Sequence, residues 1–258
     1  MDLDVARAVD VARAAVAAAG AAALGYWRRD LRVERKPDRT PVTVADRAAE
    51  AAALDVIQAA FPDHGILAEE SGAHRPEVPT RWIVDPLDGT KGFTRGQPFW
   101  GPAIALEHDG RIVAGAIALP ALGETYWAGT GLGAYRDGVR LQVSAVADLA
   151  DATLSLGELP CLLEPPHGAG VLELVRAVTS TRAHGDLYAC TLLLNGRAEL
   201  WLEAGVQPWD IAPLQVLVEE AGGRFTDFAG IPTVLSGHAV GSNGLLHAAA
   251  LAPLNAAR

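Results

Sequence analysis

Cysteine is scarce. Only Cys161 and Cys190 occur in 258 residues, too few for a disulfide framework and not spaced as C-x-x-C for redox or zinc chemistry. A reducing cytoplasm is the expected compartment. Positive charge is in deficit as well: 21 Lys+Arg face 31 Asp+Glu, a formal charge of −10 with no block of like charges. That excludes a polybasic arm for nucleic acid or membrane, and any nucleic-acid partner would be met with repulsion. No G-x-x-x-x-G-K-[ST] loop is present, so a nucleoside triphosphatase has no support, and no internal repeat is visible. An uninterrupted apolar run is missing too. The Ala-rich stretch from Val11 to Trp27 is broken by Arg13, and Asp2 and Asp4 stand where a signal peptide carries positive charge. It reads as a buried helix of a soluble protein, with no membrane partner.

Half the residues are hydrophobic and a fifth are charged, which suits one large or two small globular domains. Leu31 to Pro41 is polar and reads as a loop. A second helix is predicted from Thr43, where Ala45, Ala49, Ala52, Val56, Ile57 and Ala60 recur at three- and four-residue spacing until Pro62. The short apolar runs Gly65–Ala68 and Trp82–Val84 read as buried strands, each breaking into acidic residues. From Ala103 to Val143 the pattern is antiparallel. Asp109-Gly110 joins Ala103–Glu107 to Arg111–Ile117, and Asp137-Gly138 joins Gly133–Tyr135 to Val139–Val143. From about Ala152 strands and helices alternate, with Ala198–Glu203 as a strand. Asp210–Ala221 reads as a helix carrying Leu214, Leu217, Val218 and Ala221 on one face. The expectation is an α+β subdomain, residues 1–143, running without a linker into an α/β subdomain, residues 144–258.

Acidic residues stand at the ends of these elements: Asp46, Glu69-Glu70, Asp85 with Asp88, and Asp210. Each has a local structural reading. Thr43-x-x-Asp46 resembles a capping box, Glu69-Glu70 a solvated turn, Asp88-Gly89 ordinary turn chemistry, and Asp210 the partner of a helix dipole. The segment Trp82-Ile-Val-Asp-Pro-Leu-Asp-Gly-Thr90 points further. Pro86 fixes the turn so that Asp85 and Asp88 can return to one point, while Gly89 and Thr90 offer backbone N–H groups. Carboxylates suit hard divalent cations and N–H groups suit phosphate, a combination that fits metal-assisted phosphate hydrolysis.

At these residues the sequence resembles the inositol monophosphatase family of Mg²⁺-dependent, lithium-sensitive phosphatases. The likeness spans nearly the whole chain. It runs through Lys36-x-Asp38, Pro41-Val42-Thr43-x-x-Asp46, Gly65-Ile66-Leu67-Ala68-Glu69-Glu70 and Asp85-Pro86-Leu87-Asp88-Gly89-Thr90-Lys91-Gly92-Phe93. It ends with Trp209-Asp210-Ile211-Ala212 and Glu220-Ala221-Gly222-Gly223. The resemblance implies a layered αβαβα sandwich and a site for up to three Mg²⁺ ions. Glu69, Asp85, the Leu87 carbonyl, Asp88 and Asp210 would be ligands, with Asp85 bridging. It also implies that Glu69 and Thr90 orient the attacking water, that Asp46 bonds Thr90 near a metal, and that the Gly89 and Thr90 N–H groups hold the phosphate. No covalent enzyme intermediate is implied, and a homodimer is expected by analogy.

Within Ala204-Gly205-Val206-Gln207-Pro208-Trp209-Asp210-Ile211-Ala212-Pro213, and in Pro98-Phe99-Trp100-Gly101, the chain looks closest to the histidinol-phosphate phosphatase branch of the actinobacterial and plant type. Arg182-Ala-His-Gly185-Asp186-Leu187-Tyr188 carries an acid where inositol-type members carry small or hydroxyl residues. L-Histidinol phosphate bears an ammonium and an imidazole, which favour carboxylates and an aromatic wall. Asp186 and Glu203 are the candidate charges, Trp100 and Tyr188 the candidate wall, with Arg182 and Gly185 beside them. Other readings stand next to these. Glu203 also matches the glutamate of polyol-specific members, Asp186 can cap a helix, and Trp100 can be core. His184 reads as a polar neighbour, and Cys161 and Cys190 as packing residues. The alternatives are an inositol-1-phosphate phosphatase, a broad-specificity sugar or nucleotide phosphatase, or a non-catalytic binder of phosphorylated ligands.

Overall fold

Alanines at three- and four-residue spacing decide how the chain begins to pack. In the computed structural model, which describes residues 3–35 and 41–256, α1 (Val5–Leu24) buries Ala8, Ala12, Ala15, Ala19 and Ala23. Helix α2 (Val44–Ala60) presents Ala45, Ala49 and Ala53. Such small side chains let the pair approach closely while covering one face of a sheet, in a core with Trp82, Ile104 and Ala116. The first helix begins before Val11, capped by Asp4, whose side chain accepts the Arg7 N–H, and it stops short of Trp27. The second follows Thr43 and ends ahead of Pro62, as its pattern predicts. Asp2 and the Lys36-x-Asp38 pair lie outside the described residues. Where a loop is expected, β1 (Glu34–Arg35) pairs antiparallel with β2 (Pro41–Val42).

The large sheet contains β3 (Gly65–Ala68), β4 (Gly72–His74), β5 (Thr80–Asp88), β6 (Gly101–His108), β7 (Arg111–Leu119), β8 (Glu124–Gly129), β9 (Gly133–Arg136) and β10 (Val139–Arg140). Their spatial order is β10-β9-β8-β7-β6-β5-β3-β4. Both predicted hairpins form. Asp109, Gly110, Asp137 and Gly138 all have positive φ, the type I′ pattern whose twist matches paired strands. Strand β10 is shorter than the predicted Val139–Val143. The Val143 N–H donates not to a strand but to the Ala221 carbonyl at 3.1 Å, which ties this segment to the second half of the chain.

A short helix, α3 (Thr90–Phe93), follows β5, and the second sheet comes after it. That sheet holds β11 (Thr153–Leu156), β12 (Ser180–Arg182), β13 (Leu200–Ala204), β14 (Arg224–Thr226) and β15 (His238–Ser242), in the order β12-β11-β13-β15-β14. Its helices are α4 (Leu159–Leu162), α5 (Gly168–Ala177), α6 (Asp186–Leu194), α7 (Pro208–Glu220) and α8 (His247–Asn255). Helices α6 and α7 lie between the sheets, where Leu193 and Leu217 share a core with Ile117 and Tyr126 of one and Trp201 and Phe225 of the other. Residues Val171 and Leu174 of α5 and Leu254 of α8 cover the far face. The layers read helix, sheet, helix, sheet, helix, an αβαβα sandwich. This position explains why α7 buries Ile211, Leu214, Val216, Leu217 and Val218 all round rather than on the single predicted face. No helix among the described residues is long and apolar enough to cross a membrane.

Candidate active site

Strand geometry alone would separate Asp85 from Asp88, because side chains alternate and residues three apart point to opposite faces. Pro86 lacks the N–H that a ladder needs, and the register shifts there. Asp85 pairs with Ala103 and Asp88 with Gly101, so three steps along β5 match two along β6. The bulge turns both carboxylates to one side, and a hydrogen bond from the Leu87 N–H to Asp85 Oδ1 (2.8 Å) fixes the turn. From the start of α7, Asp210 completes the group. Oxygens of Asp85, Asp88 and Asp210 lie within 4.8 Å of one another. Glu69, at the end of β3, lines the same cleft of about 460 Å³.

The local readings of Asp46 and Asp210 hold alongside this placement. Asp46 Oδ2 accepts both the Thr43 N–H and the Thr43 hydroxyl (2.7 Å each), a capping box, while its Oδ1 accepts the Thr90 hydroxyl at 2.9 Å. One carboxylate therefore ties the start of α2 to the start of α3. The Thr90 oxygen also lies 3.0 Å from the Leu87 carbonyl. Asp210 Oδ2 accepts the Gln207 N–H (2.7 Å), a second capping box. Gly89 sits between β5 and α3 with φ of +82°, and a Cβ there would stand 3.0 Å from Asp186 Oδ2, so glycine is required.

Burial dominates the electrostatics, with crowding of like charges behind it. Burial, then the charges of Glu69, Asp88 and Asp210, pushes the Asp85 carboxyl well above the usual range. Burial, then Asp186 and Asp210, does the same to Asp88. Burial also lifts Asp210 and Asp186 to about 6 and Glu203 to about 8. Such a set of hard oxygen donors, costly to ionise together, suits a divalent cation.

The residues expected to select the substrate divide. Glu203, buried on β13, faces the cleft and accepts N–H groups of Glu158 (2.9 Å) and Ala204 (3.3 Å). A Cβ at Gly157 would overlap its carboxyl. Asp186 also lines the cleft, but it does not cap α6; the Leu187 N–H donates instead to Asp88 Oδ2 at 2.7 Å. Gly185, the N-cap of α6, lines a neighbouring cavity together with His184.

Trp100 is a correction: it is 0% exposed, packed edge-on against Phe93 in the helix-covered core, and forms no wall of the cleft. Arg182 is another. It is exposed on the edge strand β12, its guanidinium turned back onto the Thr181 carbonyl, and it lines neither cavity. Tyr188 packs at a tilt against Phe99 (ring centroids 4.4 Å apart) and meets His184 (5.3 Å), again off the cleft. Cys190 is buried, and Cys161 lines the cleft. Residue-level reading missed Glu158, and it passed over Lys91 although its motif was in view. These line the cleft and form an ion pair there, with no sequence pattern linking them.

Comparison with known proteins places the chain. It matches the inositol monophosphatase family over residues 4–257. It is 42% identical over 232 residues to a histidinol-phosphatase of Mycobacterium tuberculosis, covering 88% of this chain and 89% of that one. To an inositol-1-monophosphatase of Mesorhizobium japonicum it is 37% identical over 229 residues, covering 86% of each. Among solved structures, the inositol monophosphatase from Anabaena superposes with a TM-score of 0.87 at 29% identity, covering 99% of this chain and 98% of that one.

Proposed function

The chain belongs to the inositol monophosphatase family of phosphatases, and from that premise we propose that it is a Mg²⁺-dependent phosphomonoesterase acting on L-histidinol phosphate. The observation that carries the metal dependence is the convergence of Asp85, Asp88 and Asp210, three carboxylates within 4.8 Å whose ionisation is opposed by burial and by neighbouring acids. Hard oxygen donors crowded in this way fit Mg²⁺, and by the family pattern Glu69 and the Leu87 carbonyl would join them in holding up to three ions. When bound, the ions supply positive charge that neutralises phosphoryl oxygens and acidifies a water.

The chain's own groups do the positioning. With its proton directed to Asp46 Oδ1, the Thr90 hydroxyl keeps a lone pair to accept a hydrogen bond from the attacking water, which Glu69 would hold from the other side. Thr43 fixes the second oxygen of Asp46, so that polarity is set before substrate arrives. The N–H groups of Gly89 and Thr90 would receive the phosphate. No nucleophilic side chain is needed, and the phosphoryl group passes directly to water.

Asp186 and Glu203 support a cationic leaving group, since two carboxylates at the far wall of the cleft complement an ammonium and an imidazolium. Inositol 1-phosphate is the second reading, because Glu203 alone also suits a polyol hydroxyl. The deciding assay is phosphate release from L-histidinol phosphate, inositol 1-phosphate, fructose 1,6-bisphosphate and adenosine 3′,5′-bisphosphate, with Mg²⁺ and with EDTA. The expected result is highest efficiency on L-histidinol phosphate, loss of activity in EDTA and inhibition by millimolar Li⁺. Preference for inositol 1-phosphate would transfer the substrate assignment, and turnover in EDTA would remove the metal. By the same family analogy we read the protein as a cytoplasmic homodimer, which sedimentation in the presence of Mg²⁺ tests.

A further inference from the structure

The cleft does not end at Asp186. A second cavity of about 320 Å³ opens beside it, between α3, the segment leading into α4, and the start of α6. Three residues line both spaces: Lys91, Glu158 and Asp186. At the junction Lys91 Nζ lies 3.3 Å from Glu158 Oε2, with 64% and 47% of the two side chains exposed. Glu158 is well placed by its backbone, because its N–H donates to the Glu203 carboxyl at 2.9 Å. Its backbone is therefore tied to Glu203 at the acidic wall of the cleft. An ion pair this exposed is weakly held, so a competing cation can replace Lys91 at little cost. Displaced, the long lysine side chain returns its ammonium to water.

We propose that Glu158 is a specificity-determining residue masked by Lys91: the ammonium of a cationic phosphate ester exchanges with Lys91 at the Glu158 carboxylate, whereas a neutral leaving group leaves the pair closed. The inference rests on the phosphatase reading above and adds to its far wall a third carboxylate, one that is screened until the right charge arrives. Screening matters because an open third carboxylate would also repel the phosphate dianion of every ester.

The test is the ratio of kcat/KM for L-histidinol phosphate to that for glycerol 2-phosphate, whose leaving group is neutral, at fixed Mg²⁺. It is measured in wild type, Glu158→Gln and Lys91→Met. Both positions are exposed, and melting curves verify that the variants are folded. Glu158→Gln lowers the ratio about two- to fivefold, as expected for loss of one partly exposed charge contact. Lys91→Met raises the ratio, because the carboxylate then stands unmasked. Ratios equal to wild type in both variants, or shifted in the same direction, overturn the proposal. A wild type that favours glycerol 2-phosphate defeats the histidinol reading, while the opposed shifts still decide the role of the pair. A wild type that favours L-histidinol phosphate with neither variant moving the ratio defeats the pair alone.

Discussion

At the scale of single residues, the acidic group was legible because its members sit in short motifs whose chemistry is local. Asp85, Asp88 and their Gly-Thr successor announce a turn, hard ligands and amide donors together. Trp100 was not legible in the same way: an aromatic beside a motif gives no sign of which face it occupies, and the tertiary fold points it into the core. Glu158 carries no motif at all, and only the approach of α3 to the segment before α4 gives it a partner. Two outcomes follow at this scale. Thr90→Ala deletes the hydroxyl held by Asp46 but keeps the backbone N–H, so kcat should fall by a larger factor than KM rises; weakened binding with unchanged kcat would make the hydroxyl a phosphate ligand instead. Asp186→Ala removes a charge-assisted contact worth roughly 1.5–3 kcal/mol, about ten- to a hundredfold in preference for the cationic over a neutral ester. An equal slowing of both esters would make Asp186 structural.

At the scale of elements, long periodic helices and Asp-Gly hairpins were readable, since each carries its own start and stop signals. The three-residue strands β12 and β14 were not. They exist because β11 and β15 offer them edges, a fact of the sheet rather than of their own composition. The same holds for the environment of α7, whose all-round burial follows from lying between two sheets. Capping offers the clearest test here. Thr43→Ala removes the α2 N-cap and should cost about 1 kcal/mol, roughly 2–4 °C in Tm. It also removes one of the two hydrogen bonds that hold Asp46 Oδ2, leaving only the backbone N–H, so kcat should drop modestly alongside stability. A Tm change with kcat untouched would separate the cap from the site.

The whole molecule brings five strongly perturbed carboxyls, Asp85, Asp88, Asp186, Glu203 and Asp210, to one cleft in a chain of formal charge −10. Their folded-state pKa values lie above the ordinary 3.8 and 4.5, at about 6 for Asp186 and Asp210 and about 8 for Glu203. The metal-free fold therefore binds these protons more tightly than the unfolded chain does. Their contribution is least unfavourable at acid pH and grows more unfavourable as pH rises through about 8. Mg²⁺ competes with those protons, so the gap in Tm between Mg²⁺ and EDTA should widen as pH rises from about 5.5 to about 8. A gap independent of pH would mean that the ion binds away from these groups.

Asp85 is the most central of them, buried and flanked by Glu69, Asp88 and Asp210. The most direct measurement is Mg²⁺ binding by titration calorimetry together with steady-state phosphate release, in wild type and in Asp85→Asn. Loss of Mg²⁺ binding and of turnover is expected, with a Tm in EDTA equal to or above that of wild type, because one buried charge among repelling neighbours is gone. Asp85→Asn that binds Mg²⁺ and releases phosphate at near wild-type rates would contradict the account.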